Sequence, residues 1–347
     1  MSTFLLLLAP SGNRVYAGET PRLAAAELRI LLSAAGIEAV PEVTERAGVS
    51  YVGFEAATPP VDVVAAHSAR LALFEETGDL LSPVRLPRLD LLDDDLVGIP
   101  KYAGKTNEQL TRLLLNITLS QVTTARTPLS VLDPLCGRGT TLLTGWTRGC
   151  DVAGVEADEK AVEAMAAYVT GYLRRKRLKH SAGTSPVRRE GRSLGRRFDA
   201  EVTLDGRTLT LGVFTGDTRQ SAALWGRRRF DAIVTDAPYG VVHGSQTDVR
   251  GAPTGPKRDR SAAGLLRQAV PVWVSQLRPG GALGLSWNTY GMSREDLVGV
   301  LTEAGLEVRD DGPWRGFSHR VDASIQRDLV VGAKPGRAGA DAGSGRP

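Results

Sequence analysis

The chain has 347 residues, of which 42% are hydrophobic and 24% charged, and a formal net charge of +4. This composition is that of a soluble globular protein long enough for two domains, and it excludes a fibrous or intrinsically disordered chain. The two cysteines, Cys136 and Cys150, exclude a disulfide framework, and no metal site is predicted. This cysteine usage indicates a reducing cytoplasm. The apolar start at residues 4–9 is predicted to be a buried strand and not a signal peptide, because no basic region precedes it, the run is short and Pro10 follows it. No apolar run is long enough to cross a membrane.

Residues 1–92 are predicted to form a small α+β domain. Its predicted elements are, in order, strand 4–9, helix 19–35, strands 37–40 and 51–55, a helix from residue 61 and strand 71–75. This order is typical of a ferredoxin-like fold. Residues 93–100, which include three consecutive aspartates, are predicted to be a linker.

Residues 101–334 alternate between predicted strands and helices, which indicates a parallel sheet covered by helices on both faces. The predicted strands are 130–133, 152–155, 212–215, 230–235, 282–287 and 327–333. Two excursions interrupt this alternation: a strongly basic stretch over 172–200, predicted to be a loop or helix extension, and a Gly- and Pro-rich mobile segment over 243–264. Residues 335–347 are predicted to be a disordered tail.

The first candidate site is the turn that follows the strand at 130–133. Asp133-Pro134-Leu135-Cys136-Gly137-Arg138-Gly139 places an acid at the strand end, then a Gly-x-Gly turn, then a helix. A dinucleotide fingerprint is less consistent, because Leu142 replaces its third glycine and an aspartate would repel a pyrophosphate. S-adenosylmethionine has no phosphate and carries an ammonium group, so it suits an acid here. Cys136 is predicted to be an apolar filler, and a plain tight turn remains the alternative.

Two more acids follow predicted strands. Glu156, followed by Ala157, ends the second strand, where a carboxylate can accept both hydroxyls of a ribose. Asp217 follows the next strand and could accept from an adenine amino group, although Gly-Asp is equally common in ordinary turns. These residues complete the predicted cofactor site.

The strongest motif is Asp236-Ala237-Pro238-Tyr239 at the end of a buried strand. If Asp236 and the carbonyl of Ala237 each accept one N–H of an exocyclic amine, the nitrogen can pyramidalise and direct its lone pair at a methyl donor. Pro238 stiffens the turn, and Tyr239 offers a face for base stacking. We therefore predict catalysis by positioning and electrostatics, without a metal.

Together these motifs resemble the S-adenosylmethionine-dependent amino-methyltransferases with an (Asp/Asn)-Pro-Pro-(Tyr/Phe) motif. Residues 101–116 and 319–327 further resemble segments of the tRNA guanine-N2 methyltransferases, the THUMP-associated RNA methylases. The resemblance implies a Rossmann-like methyltransferase fold with a mostly parallel seven-stranded sheet, and methylation of guanosine N2 in tRNA. Two features depart from the family. Ala237 replaces a proline, and the amino-terminal region is too short to hold a complete THUMP domain in addition to the ferredoxin-like domain.

Three further interpretations complete the predictions. The basic stretch over 172–200 is predicted to bind RNA phosphates, with a solvated loop as the alternative. Thr106 with Gln109 is read as a capping box that opens a helix. The competing functions are a DNA adenine-N6 or cytosine-N4 methyltransferase, and an RNA-binding protein whose catalytic site has decayed at Ala237.

Overall fold

The computed structural model describes residues 1–102, 104–189, 191–238 and 261–336. This part of the chain contains a five-stranded and a ten-stranded β-sheet. Tyr239 of the predicted motif, residues 243–260 of the second excursion and residues 337–347 of the predicted tail lie outside the described residues.

The five-stranded sheet belongs to the amino-terminal region. Its elements are β1 (Ser2–Leu8), α1 (Arg14–Ala34), β2 (Glu42–Arg46), β3 (Val49–Ala56), α2 (Val61–Ala66), β4 (Arg70–Thr77) and β5 (Leu80–Val84). The strand order is β2-β3-β1-β4-β5, and all pairs are antiparallel. The first six elements follow the predicted ferredoxin-like order, and β5 adds a hairpin at the edge. The strand predicted at 37–40 begins later, after Pro41, because proline cannot donate to a ladder.

The ten-stranded sheet contains the predicted cofactor loop and motif. Its strands are β6 (Ser130–Asp133), β7 (Asp151–Glu156), β8 (Lys179–Arg189), β9 (Arg192–Leu204), β10 (Arg207–Thr215), β11 (Phe230–Asp236), β12 (Leu277–Asn288), β13 (Glu307–Arg309), β14 (His319–Arg320) and β15 (Gln326–Ala333). The helices are α3 (Asp95–Gly98), α4 (Glu108–Leu119), α5 (Thr140–Thr147), α6 (Glu159–Arg175), α7 (Ser221–Trp225), α8 (Ala262–Gln276) and α9 (Arg294–Glu303).

The strand order is β13-β15-β12-β11-β6-β7-β10-β9-β8, and β14 pairs with β15. Neighbours from β12 to β10 are parallel, whereas β8, β9, β13, β14 and β15 pair antiparallel with their neighbours. The α/β class is therefore confirmed, but the expected mostly parallel seven-stranded sheet is wrong, because the sheet has ten strands and is mixed. The parallel centre places the carboxyl ends of five strands at one edge.

The extra strands β8 and β9 come from the basic stretch over 172–200, which was predicted to be a loop or helix extension. The helix α6 does extend to Arg175, but a long antiparallel hairpin follows it. Phe198, Ala200 and Val202 of β9 are buried at every second position, as in a half-buried strand. The surrounding arginines and glycines hide this alternation in the sequence.

The amino-terminal region packs directly against the large sheet's helices. Leu28 and Leu32 of α1 join the core of the small sheet, whereas Leu23 and Ile30 join a core that includes Leu113 of α4. The predicted linker over 93–100 contains α3 and buries Leu96 and Val97. No helix of the described residues has both the length and the apolar character needed to cross a membrane.

Candidate active site

The cofactor loop lies between the end of β6 and the start of α5. Gly137 and Gly139 have φ angles of +51° and +88°, a region that non-glycine residues rarely adopt. A Cβ on Gly139 would stand 2.5 Å from Sδ of Met165, whereas one on Gly137 would meet no atom within 4 Å. Gly139 is therefore required by packing against α6, and Gly137 leaves the loop backbone open to a ligand.

Glu156 connects this loop to the next strand. Its carboxylate accepts the Gly137 N–H at Oε2 and the Asp158 N–H at Oε1, both at 2.8 Å. A carboxylate can accept about four hydrogen bonds, so a ribose diol can still be accommodated. The neighbouring Ala157 lies at the turn between β7 and α6.

Asp133 is almost fully buried at the end of β6. Its Oδ1 accepts the Leu135 N–H at 3.0 Å and the Thr235 hydroxyl at 2.7 Å. Burial raises the pKa of Asp133 to about 7, and the nearby charge of Asp236 adds to the increase. The carboxylate thus joins the tips of β6 and β11 and is poised to ionise near neutral pH.

The other two predicted loop residues are buried. Pro134 is buried, and Cys136 is 5% exposed with its side chain against Gly154, where an added Cβ would stand 2.7 Å from Sγ. Burial raises the pKa of the Cys136 thiol well above its usual range. Cys136 therefore packs as an apolar side chain.

Asp217 is held by a neighbour in the chain. Its Oδ1 accepts the Arg219 N–H at 2.9 Å, and the Arg219 guanidinium forms an ion pair with Oδ2. The ion pair occupies the carboxylate that was predicted to accept from adenine. The arrangement favours the ordinary-turn interpretation for this residue.

Asp236 ends β11, next to the cofactor loop. In the parallel ladder Ile233 pairs with Leu132 of β6, and Asp236 pairs with Ser286 of β12. The N–H of Ala237 donates to the Ser286 carbonyl at 2.8 Å. A proline at position 237 would stiffen the turn but could not donate this bond. The alanine instead extends the hydrogen-bonded ladder between β11 and β12 by one bond. Pro238 follows directly and is half-buried.

Thr106 contacts Asp236, which the sequence analysis did not predict. Its hydroxyl donates to Asp236 Oδ2 at 2.7 Å, and Nη2 of Arg327 lies 3.7 Å from the same oxygen. The capping-box interpretation is wrong, because the N-cap of α4 is Asn107, whose Oδ1 accepts the Leu110 N–H. The combination Thr-Asn before an apolar helix allows either residue to cap, so sequence alone could not separate them.

The segment before α4 is also attached to the cofactor loop. The Tyr102 hydroxyl lies 2.9 Å from Oγ1 of Thr140, and the Arg138 guanidinium stacks 4.9 Å from the Tyr102 ring centroid. Tyr102 therefore contacts the cofactor loop, and Thr106 contacts the tip of β11.

An exposed aromatic side chain lies at the same edge of the sheet. Tyr290 follows the end of β12 and is 65% exposed, and its N–H donates to Asn288 Oδ1. Since β12 neighbours β11, Tyr290 follows the strand on the side of β11 opposite to β6. In the part of the chain that the structure describes, no three or more His, Cys, Asp or Glu side chains form a group that could hold a metal ion.

Comparisons with known proteins give structural likeness only. No protein-family model and no curated protein sequence matches the chain. Similar solved structures include TrmN from Thermus thermophilus, with 15% identity, a TM-score of 0.42, and coverage of 88% of this chain and 64% of that one. A TehB-like SAM-dependent methyltransferase from Corynebacterium glutamicum has 15% identity and a TM-score of 0.35, over 60% of this chain and 82% of that one.

An rRNA methylase from Streptococcus thermophilus is similar at 10% identity and a TM-score of 0.33, over 60% of this chain and 87% of that one. Of the similar structures, the TrmN chain is covered by this chain over less than two thirds of its length. At such low TM-scores, what this chain does has to follow from its own site residues.

Proposed function

We propose that the protein is an S-adenosylmethionine-dependent methyltransferase that modifies an exocyclic amine of an RNA base, namely N2 of a guanosine in tRNA. The proposal depends mainly on the adjacency of two strand tips. The Thr235 hydroxyl joins the end of β11 to Asp133 at the end of β6 with a 2.7 Å hydrogen bond. A cofactor held by the loop after β6 would therefore lie beside Asp236.

S-adenosylmethionine is the expected cofactor, and the residues around the loop fit it. The open space beside Gly137 admits a ligand to the loop backbone, Glu156 can accept a ribose diol, and Asp133 offers a negative charge to an ammonium group. When bound, the cofactor supplies an electrophilic methyl group. Because it has no phosphate, the acid at the strand end is favourable rather than repulsive.

Asp236 prepares the substrate nitrogen. The Thr106 hydroxyl and the Arg327 guanidinium both approach Oδ2 and hold the carboxylate in one orientation. The carboxylate can then accept one N–H of the amine while the Ala237 carbonyl accepts the other. This localises the nitrogen lone pair, and the protein contributes orientation without a covalent intermediate.

Tyr290 favours a nucleic-acid base as the substrate. It provides an exposed aromatic ring after the end of β12 on which an extruded base can stack, and a target atom inside a stack cannot be reached otherwise. The resemblance favours RNA, because the segments that resemble tRNA guanine-N2 methyltransferases include Thr106 and Arg327, whose side chains both approach Asp236.

Replacement of Asp236 by alanine tests this function. We expect transfer from labelled S-adenosylmethionine to unfractionated tRNA to fall by at least about 10²–10³-fold, because the main acceptor for the amine is lost. Calorimetric binding of S-adenosylhomocysteine should stay within about threefold of the wild-type value, since Asp236 is not among the proposed cofactor contacts. Retained turnover would exclude the role of Asp236.

A further inference from the structure

The β8–β9 hairpin divides the arginine-rich stretch into two groups at opposite edges of the large sheet. Arg197 of β9 pairs with Phe214, one residue before the carboxyl end of β10, so the hairpin tip with Arg188 and Arg196 lies at the active-site edge. Lys179 and Thr203 pair at the other end, six residues along β9, which is about 20 Å away. Arg174, Arg175 and Arg177 precede Lys179 at that opposite edge.

Two arginines near the hairpin tip, Arg189 and Arg197, attach the hairpin to neighbouring elements. Arg189 donates to the carbonyl oxygens of Ala223 and Leu224 at the end of α7. Arg197 forms an ion pair with Asp199 and stacks 5.3 Å from the centroid of the Phe214 ring. These contacts give the tip a defined position beside the carboxyl end of β10.

Arg188 and Arg196 differ from these anchoring arginines. Both are exposed, and neither guanidinium has a hydrogen bond or ion pair with any residue that the structure describes. At the other end of the hairpin, Lys176 is paired with Asp93 at 3.0 Å and Asp95 at 2.6 Å, whereas Arg174, Arg175 and Arg177 are exposed and have no such partner among the described residues either. The two groups therefore differ in which edge of the sheet they occupy. The tip therefore presents two exposed guanidinium groups, without partners among the described residues, at the active-site edge.

We propose that the hairpin tip, through Arg188 and Arg196, binds the phosphate backbone of the RNA substrate, and that the arginines at the opposite edge do not. This inference rests on the proposed function. Strand β9 is four strands from β11, or about 19 Å at the usual spacing of about 4.8 Å. That distance is short enough for one RNA segment of several nucleotides to reach both Asp236 and the tip.

Guanidinium groups suit this role because their planar donors match phosphate oxygens in pairs. Such contacts carry no sequence information, and they position the RNA while the site selects the base. The opposite arginines lie about 20 Å further along the hairpin, at the other edge of the sheet. We therefore expect an RNA segment that enters the active site to pass the tip and not these arginines.

Two full-length double variants with equal loss of charge test the inference: R188Q/R196Q at the tip and R174Q/R175Q at the opposite edge. Binding of fluorescently labelled unfractionated tRNA is measured between 50 and 200 mM salt. We expect the tip variant to bind about tenfold more weakly at about 0.15 M salt and to lose about 1.4–1.8 from the slope of log affinity against log salt. The R174Q/R175Q variant should stay within about twofold of wild type. Both should keep wild-type affinity for S-adenosylhomocysteine, which verifies folding.

Equal losses in the two variants, or unchanged binding by the tip variant, would overturn the inference. Tighter binding of a sequence-matched DNA than of RNA would overturn the assignment of the partner. If the tip variant alone loses RNA affinity but the wild type transfers no methyl group, the inference is supported and the proposed function is rejected. If transfer occurs and both variants bind RNA equally, only the inference fails.

Discussion

The Thr106 hydroxyl donates a 2.7 Å hydrogen bond to Oδ2 of Asp236, across 130 positions of the chain. It joins the segment before α4 to the tip of β11. Arg327 approaches the same oxygen from β15, at 3.7 Å. Asp236 is thus oriented by a residue that precedes the first strand of the large sheet and by a residue of its last strand.

Removal of the Thr106 hydroxyl should reduce catalysis without reducing cofactor binding. We expect Thr106→Val to lower kcat about tenfold, or about 1.4 kcal/mol, because Asp236 loses a donor that orients it. KM for S-adenosylmethionine should change little. Thr106→Ser, which keeps the hydroxyl, should restore most of kcat, and a serine variant as slow as the valine variant would contradict the positioning role.

Cofactor affinity should increase as the pH rises towards 7. The pKa of Asp133 is raised to about 7, mainly by burial, so the carboxyl is largely neutral at pH 6 and attracts an ammonium group less. Between pH 6 and pH 7 its ionised fraction rises about fivefold, and affinity for S-adenosylhomocysteine should rise by about the same factor. An α-amino group stays protonated over this range, since its pKa is about 7.7–8.0.

The matched control for this pH dependence is Asp133→Asn, measured by calorimetry at the same two pH values. Its affinity should be weak and nearly constant between them. If the variant retains the wild-type increase, another group causes it and Asp133 does not meet the ammonium.

Tyr290 should contribute to RNA binding through its ring. Stacking of a base on an aromatic ring is worth about 1–3 kcal/mol, so Tyr290→Leu should raise KM for tRNA between about 5-fold and 150-fold. Tyr290→Phe keeps the ring and should remain within about twofold of wild type. Steady-state kinetics at saturating S-adenosylmethionine distinguish the variants. Equal KM values for tRNA in the leucine and phenylalanine variants would contradict the stacking role.

The amino-terminal region should unfold together with the catalytic region. Glu27 of α1 is fully buried, and it accepts from Ser68 at 3.0 Å and from Asn116 of α4 at 2.8 Å, with His67 at 3.3 Å. We expect Glu27→Ala to lower the free energy of unfolding by about 3–5 kcal/mol, because buried polar groups lose their partner.

Tryptophan fluorescence during urea denaturation measures this coupling, because all 5 tryptophans lie after residue 140. Trp314 lines a cavity with Arg29 and Ile30 of α1, so the measurement uses a Trp314→Phe background. The remaining signal reports the catalytic region, and Glu27→Ala should lower its midpoint. An unchanged tryptophan midpoint, with loss of helical signal at lower urea, would mean that the two regions unfold independently.

The sequence contained enough information for the parallel centre of the fold but not for its edges. The strands β6, β7 and β11 are buried apolar runs that end in an acidic residue. Their secondary structure and their positions in the chain could therefore be predicted. The hairpin could not be predicted, because the apolar alternation of Phe198, Ala200 and Val202 lies among arginines and glycines that favour a loop. The number of strands could therefore not be predicted, because the neighbouring arginines and glycines obscure the apolar alternation of β9.

The candidate site shows the same division. Its acids could be predicted from their positions at strand ends, and the structure brings Asp133, Glu156 and Asp236 to one edge of the sheet. The contact of Thr106 with Asp236 could not be predicted, because it joins residues far apart in sequence and because Thr106 also fits a capping pattern. The ion pair of Asp217 with Arg219 likewise depends on a side-chain conformation.

The central claim is that this site methylates an exocyclic amine of an RNA base. Its most direct test incubates the wild-type protein with methyl-labelled S-adenosylmethionine and tRNA from a strain that lacks the gene, followed by digestion and mass spectrometry of the nucleosides. We predict label in N2-methylguanosine. Label on a ribose, a ring carbon or a ring nitrogen, or no transfer at all, would contradict the account.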